Sequence, residues 1–157
     1  MAQPNILFIT SDQHRGDCYG FEGRRNVKTP HLDRLAEQST RFSSCITPNP
    51  LCQPARATML TGLYPRSHGV VDNGFDLQEE IGEAGFGGQM TRAGYETAFL
   101  GKAHFSTYNT YEKTGRPECI RSATDYGDDW YGPYMGFSHV ELMVLGHNVG
   151  KEARKPL

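Results

Sequence analysis

The chain has 157 residues, of which 37% are hydrophobic and 22% are charged, and its formal net charge is −2. A chain of this length can form one domain with a hydrophobic core. Without an excess of basic residues or an apolar run long enough to cross a bilayer, neither nucleic acid nor a membrane is expected as a partner.

The first predicted element is the apolar run NILFIT, residues 5–10. No cationic segment precedes this run and it is too short for a secretion signal, so a cytoplasmic location is expected. A continuous apolar run of this length is typical of a strand that is buried on both faces of a sheet. The polar sequence SDQH follows it and places Asp12 and Gln13 at the carboxyl end of the predicted strand.

Two helices and a second strand are predicted next. TPHLDRLAEQS has Thr29 as its cap, Pro30 in its first turn and apolar residues along one face, as helices do. RFSSCI, residues 41–46, is interpreted as a short strand. PARATMLTG is predicted to be a helix that Pro54 begins and Gly62 ends.

The remaining elements are a glycine-interrupted helix ending near Gly94, a strand over about residues 95–100, a polar excursion over 106–133 and a last strand, HVELMVL, at 139–145. Strands that alternate with helices predict an α/β fold with a mostly parallel sheet flanked by helices. Ligands of such sheets bind beyond the carboxyl ends of the strands. SDQH and the later GKAH are therefore expected at one edge.

One of the four cysteines has unusual neighbours. Cys18, Cys45 and Cys119 are interpreted as small buried hydrophobic residues. Cys52, in contrast, lies directly before the predicted helix, and Arg56 follows one turn later. The unpaired N–H groups of a helix start favour anions, and a guanidinium can bind an oxyanion through two N–H groups. The pattern C-x-P-x-R thus indicates an oxyanion site.

Four motifs in this order resemble the sulfatase family. CQPARATMLTG is similar to the family pattern C-x-P-x-R followed by T-G, in which the cysteine is converted to formylglycine. PNILFITSDQ resembles the first strand with its metal-binding aspartate, TPHLDRLAEQSTRF the first helix, and GYETAFLGKAHF the G-K-x-H segment. The motifs lie within residues 1–105, and residues 106–157 are only loosely similar. The resemblance implies that residues 1–157 are the N-terminal portion of a sulfatase catalytic domain, with an alkaline-phosphatase-like fold that is incomplete in this chain.

The resemblance also implies catalytic roles for four residues. Cys52 would become the formylglycine nucleophile, through a modifying enzyme that recognises the motif. Arg56 would hold the formylglycine and the sulfate. Lys102 and His104 would contact sulfate and stabilise the leaving oxygen, and their spacing of two at the end of a strand is expected to place them on one face.

A divalent metal, most commonly calcium, is implied as well. Asp12, Gln13 and the modified Cys52 would be ligands, although Gln13 stands where a second aspartate is often found and brings less charge. The family's other ligands form a D-N or D-H pair in a later segment that GHNVGKEARKPL does not supply, so this chain alone is expected to be inactive. Asn73 resembles an asparagine that contacts the site in some relatives, although an asparagine before glycine is also typical of a turn. His68 is equally compatible with supporting a loop or binding substrate.

Three functions remain open from the sequence. The leading hypothesis is hydrolysis of a small sulfate monoester. A related phosphonate or phosphate-ester hydrolase is the alternative within the superfamily, because such relatives use the same motif. The third hypothesis is a truncated, non-catalytic protein that keeps Cys52 as a thiol.

Overall fold

The computed structural model describes residues 3–23, 26–127, 129–144 and 147–148. The chain divides into two compact units, Met1–Ile46 and Thr47–Leu157. The helices are α1 (Pro30–Glu37), α2 (Cys52–Thr61), α3 (Pro65–His68), α4 (Glu79–Glu83) and α5 (Phe86–Arg92), and the strands are β1 (Ala98–Gly101), β2 (His139–Val144) and β3 (His147–Asn148). In the part of the chain that the structure describes, no helix is long and apolar enough to cross a membrane.

The first unit is organised around the start of α1, where Thr29 occupies the predicted N-cap position without a side-chain capping hydrogen bond. Thr29 precedes the helix and Pro30 begins it. The Thr29 hydroxyl donates to Asp33 Oδ1 over 2.7 Å, and the backbone N–H of Phe21 donates to the same oxygen over 3.1 Å. These hydrogen bonds fasten the short 3-10 turn Gly20–Glu22 to the first turn of α1.

The strands predicted at residues 5–10 and 41–46 are both wrong for the described residues. Neither segment has strand structure, and the apolar side chains of the first are exposed, with Leu7 at 84%. An apolar run predicts extension and burial, but a strand exists only where a neighbouring strand accepts its hydrogen bonds. The sheet of the described residues contains β1, β2 and β3, and neither segment pairs with them.

The second unit contains the sheet. Strand β1 pairs in parallel with β2, from Ala98 opposite His139 to Gly101 opposite Leu142, and β2 pairs antiparallel with β3. The β1–β2 pair agrees with the predicted mostly parallel sheet. Residue 145, the end of the predicted last strand, lies outside the described residues. Helix α2 contacts α3, α4 and α5. The buried apolar side chains of this unit include those of Leu60, Val70, Leu77, Phe105, Phe137, Val140 and Leu142.

The predicted polar excursion is more buried than its composition indicates. Within the described part of residues 106–133, regular structure is limited to the 3-10 turn Ala123–Asp125. Nevertheless Glu118, Cys119 and Ser122 are all at most 2% exposed. The burial predicted for Cys119 is thus confirmed, whereas Cys45 is exposed, and the prediction for that cysteine is wrong.

Gly88 of α5 should not tolerate a side chain. A Cβ atom there would lie 1.9 Å from the carbonyl oxygen of Glu83, which is backbone and cannot swing away. We expect Gly88→Ala to lower the free energy of unfolding by at least about 2 kcal/mol, measured by urea denaturation. Gly127→Ala is the matched control, because its Cβ would meet only the end of the Asp129 side chain. Equal stability of the two variants would show that the backbone around Gly88 can move aside.

Candidate active site

Cys52 is the first residue of α2, with Leu51 as the cap. The helix therefore begins two residues earlier than predicted from Pro54. Proline is tolerated in the third position because the first four N–H groups of a helix have no partner within it. The predicted end is confirmed, since Gly62 adopts the left-handed conformation that closes the helix. Cys52 is half-buried at this helix start.

Asn73 lies beside the cysteine through a backbone contact. Its Oδ1 accepts a hydrogen bond of 3.0 Å from the N–H of Gln53, the residue after Cys52. The carboxamide thereby satisfies one of the free N–H groups of the helix start, in the way a capping side chain does. The structure thus brings Asn73 to the start of α2, where the resemblance implied that it contacts the site.

Gln53 is a residue that the sequence patterns did not single out. Its side chain is fully buried; Nε2 donates to the Phe75 carbonyl and Oε1 accepts from the Gly74 N–H, each over 2.7 Å. A further, longer contact of 3.5 Å joins Nε2 to the carbonyl of Phe105. A buried amide with both ends bonded fixes the loop 73–75 against the start of α2. The only signal in the sequence is a polar residue at the variable position of the motif.

Arg56 connects α2 with the segment that follows β1. Its side chain is buried, with 9% exposed, and Nη1 donates to the carbonyl oxygen of Lys102 over 2.5 Å. The structure therefore brings Arg56 and the backbone of Lys102 together, as the predicted site requires. A guanidinium carries five N–H donors and can therefore bind more than one acceptor.

The predicted strand relation between Lys102 and His104 is wrong. Strand β1 ends at Gly101, and His104 has a φ angle of 54°, in the left-handed region. The alternation of side chains along a strand therefore does not determine on which side Lys102 and His104 lie. The His104 ring is buried and its centroid lies 5.1 Å from that of Tyr108.

Glu118 is a second residue that the sequence patterns did not single out, and its side chain is buried, with 2% exposed. Its Oε1 accepts hydrogen bonds from the N–H groups of Phe105 and Ser106, over 2.9 and 3.2 Å, and from the Tyr134 hydroxyl over 2.9 Å. Burial raises the pKa of this carboxyl to about 7, although each of these hydrogen bonds acts in the opposite direction. Glu118 thus holds the backbone that directly follows His104.

The raised pKa of Glu118 predicts a dependence of stability on pH. The folded protein retains this proton between the ordinary value of 4.5 and about 7, whereas the unfolded chain releases it. The contribution to the free energy of unfolding is therefore fully present below 4.5 and is lost as the pH rises to about 7, by at most about 3 kcal/mol. Burial also raises the pKa of Tyr134, which donates to Glu118, while the charge of Arg116 acts to lower the pKa of Tyr134.

The measurement compares wild type with Glu118→Gln, which does not titrate. Urea denaturation from about pH 4 to about pH 8 should show the variant gaining stability relative to wild type across this window. A difference between the two proteins that does not change with pH would show that Glu118 has an ordinary pKa in the folded state.

His68 is buried, at 1% exposed, and both ring nitrogens have protein partners. Nδ1 accepts from the N–H of Val70 over 3.1 Å, and Nε2 lies 3.0 Å from the Thr58 hydroxyl. With Nδ1 an acceptor, Nε2 carries the hydrogen and donates it to Thr58. Burial lowers the pKa of the ring, which favours the neutral form. Of the two predicted roles, this geometry favours support of the loop over substrate binding.

Asp12 and Gln13 belong to the first unit, whereas Cys52, Arg56, Lys102 and His104 belong to the second. Asp12 and Gln13 are exposed, and Gln13 has a φ angle of 53°. A carboxylate and an amide oxygen are suitable donors for calcium, which takes six to eight oxygens. However, the described residues contain no group of three or more His, Cys, Asp or Glu side chains placed to hold a metal ion.

The second unit defines a class of protein. This unit has an α/β structure in which the half-buried Cys52 is the first residue of α2. Arg56, one turn later, donates a hydrogen bond to the segment that follows the parallel strand β1. The sulfatase family model matches residues 4–148. The chain belongs to the sulfatase family, and the resemblance predicted from the motifs is confirmed.

Individual relatives agree with this assignment. The ulvan-active sulfatase of Formosa agariphila is 39% identical over 125 residues, covering 80% of this chain and 24% of that protein. The arylsulfatase of Clostridium perfringens is 38% identical over 104 residues, 65% of this chain and 21% of that one. The crystal structure of the phosphonate monoester hydrolase of Agrobacterium radiobacter matches with a TM-score of 0.70 at 30% identity, covering 91% of this chain and 26% of that chain.

These likenesses confirm the α/β, alkaline-phosphatase-like fold class. The chain spans about a quarter of the length of these relatives.

Proposed function

We propose that the protein hydrolyses small sulfate monoesters to an alcohol and sulfate, with a formylglycine derived from Cys52 as its nucleophile. The observation that carries the proposal is the junction at α2. Cys52 stands at the helix start, and Arg56 donates to the carbonyl of Lys102. The nucleophile position, a guanidinium and the Lys102–His104 segment are thereby parts of one packed unit.

Formylglycine, as its hydrate, would supply one hydroxyl that bonds to sulfur as the alcohol leaves, and a second whose deprotonation re-forms the carbonyl and expels sulfate. This chemistry divides one difficult displacement into two easier steps. The chain's own residues would bind and orient the ester. The start of α2 favours the negative charge of sulfate, and Arg56 would donate to its oxygens. His104 would give a proton to the leaving oxygen, and Lys102 would stabilise charge that develops there.

The alternative substrate class is a phosphonate or phosphate ester. Its support is the structural likeness to the phosphonate monoester hydrolase of Agrobacterium radiobacter. Sulfate and phosphonate groups are both tetrahedral oxyanions, so a helix start with an arginine accommodates either. The Lys102–His104 pair, in the family pattern, favours sulfate.

Two measurements on the intact protein test the proposal. Peptide mass spectrometry on protein from its native host should show loss of sulfur and gain of oxygen at Cys52. An alkylatable thiol there would instead support the non-catalytic hypothesis. The rates with 4-nitrophenyl sulfate and with a 4-nitrophenyl phosphonate monoester then decide the substrate class, and a faster phosphonate reaction would make the phosphonate ester the preferred substrate.

The remaining predictions concern partners, metal and location. The modifying enzyme that converts Cys52 is proposed as a protein partner, because conversion needs a catalyst that recognises C-x-P-x-R. Calcium, with Asp12 and Gln13 among its ligands, and the cytoplasmic location stay predictions.

A further inference from the structure

The peptide groups around Phe105 are held from several directions. The Phe105 carbonyl accepts a hydrogen bond from the N–H of Leu77 over 2.9 Å, and the side chain of Gln53 approaches the same oxygen. On the other side, the N–H groups of Phe105 and Ser106 both donate to Glu118. We call these contacts the Phe105 clamp.

The clamp lies immediately after a residue in an uncommon conformation. His104 has a φ angle of 54°, which costs a non-glycine residue about 1 kcal/mol or more. Such a conformation persists only where the surrounding structure determines it. The Arg56 bond to Lys102 fixes the segment before His104, and the clamp fixes the segment after it. The backbone of His104 is thus held at both of its ends.

Glu118 is the ionisable member of the Phe105 clamp, and its carboxylate form is costly to bury. A carboxylate loses most of its hydration at 2% exposure, and the tyrosine hydroxyl and two N–H groups only partly replace it. A well-packed apolar residue would fill this space with less desolvation. An apolar side chain, however, cannot accept the two N–H groups that follow His104. Only a polar side chain at this position can therefore accept hydrogen bonds from the two N–H groups.

We propose that Glu118 is a positioning residue, which fixes the peptide groups of Phe105 and Ser106 and through them the placement of His104 over the ester. The inference rests on the proposed function in one respect, namely that His104 acts on the leaving oxygen. Glu118 itself touches neither the substrate nor Cys52 in this role. Its effect on the reaction passes through the backbone.

Three substitutions separate positioning from packing. Glu118→Ala removes the acceptor and Glu118→Asp shortens it by one methylene. Glu118→Gln keeps a carbonyl oxygen in the place of Oε1, which accepts from both N–H groups and from the Tyr134 hydroxyl. Glu112→Gln is the matched control, because Glu112 is an exposed glutamate in the same segment and the substitution is the same. Formylglycine at Cys52 is quantified in every protein, so that rates refer to modified enzyme.

The first measurement compares kcat for phenyl sulfate with kcat for 4-nitrophenyl sulfate, whose alcohol is the better leaving group. A displaced His104 should slow the poorer leaving group more, because that reaction depends more on proton transfer. For Glu118→Ala we expect a loss on the order of 100-fold with phenyl sulfate and a smaller loss with 4-nitrophenyl sulfate. Glu118→Asp should change the ratio in the same direction, and Glu118→Gln and Glu112→Gln should stay close to wild type. A general loss of folded enzyme would lower both rates equally.

The second measurement needs no turnover. Hydrogen exchange of the peptide covering residues 101–108 should become faster in Glu118→Ala and Glu118→Asp and stay slow in Glu118→Gln. Folded Ala or Asp variants with wild-type exchange and an unchanged ratio of the two rates would overturn the proposal. If Glu118→Ala does not fold, Glu118→Asp decides by the same two readouts. A wild-type protein that cleaves no sulfate or phosphonate ester would reject the proposed function, whereas the exchange experiment would still test the clamp.

Discussion

Cys52→Ala should reduce kcat by at least about 10⁴-fold, because no other residue at the start of α2 provides a nucleophile. The fold should hardly change. Cys52 is the first residue of α2 and is half-buried, and alanine is a good helix former at that position. The free energy of unfolding should therefore differ from wild type by less than about 1 kcal/mol.

The measurement is turnover of 4-nitrophenyl sulfate together with thermal unfolding, on protein from the native host. Cys45→Ala is the matched control, since Cys45 is an exposed cysteine outside the motif and should leave both quantities unchanged. Cys52→Ser adds a test of the second hydroxyl. A serine can receive the sulfate but has no neighbouring hydroxyl to expel it, so at most one turnover is expected. Wild-type rates in Cys52→Ala would eliminate the covalent mechanism.

Local sequence signals predicted part of this structure. Thr29 and Pro30 define the start of α1, and Gly62 defines the end of α2, because capping depends on residues only a few positions apart. The alternation of helices and strands predicted a mostly parallel sheet, and β1 and β2 form a parallel pair. The motif also predicted that Cys52 lies at the start of the helix that contains Arg56, although the helix includes Cys52 itself.

Other features depend on contacts between distant residues, for which no local signal exists in the sequence. The carboxylate of Glu118 reaches the N–H of Phe105 across 13 positions, and the amide of Gln53 reaches the Phe105 carbonyl across 52. Nothing in their neighbouring residues distinguishes these side chains from solvated ones. The strand predicted at residues 5–10 failed for a related reason, since an apolar run does not specify the strand with which it pairs.

Arg56→Ala should lower kcat/KM by at least about 10³-fold, through two separable routes. The guanidinium is buried and donates to the Lys102 carbonyl, so its loss removes both a charge at the proposed sulfate position and a support of the Lys102–His104 segment. We also expect a loss of about 1–3 kcal/mol in the free energy of unfolding, because the partly buried Lys102 carbonyl loses a charged donor. Arg66→Ala is the matched control, since Arg66 is an exposed arginine on α3 in the same unit.

The second route is modification, because Arg56 is part of the pattern that the modifying enzyme recognises. Rates must therefore be divided by the formylglycine content at Cys52, measured by peptide mass spectrometry. If poor modification is the whole effect, the modified fraction of Arg56→Ala will show wild-type kcat and KM, and Arg56 then has no role in the folded site. If Arg56 also acts in the folded site, the modified fraction of Arg56→Ala will still turn over more slowly than wild type. Arg56→Lys should recover only part of the rate, because one ammonium cannot donate in a fork to an oxyanion while it also holds the Lys102 carbonyl.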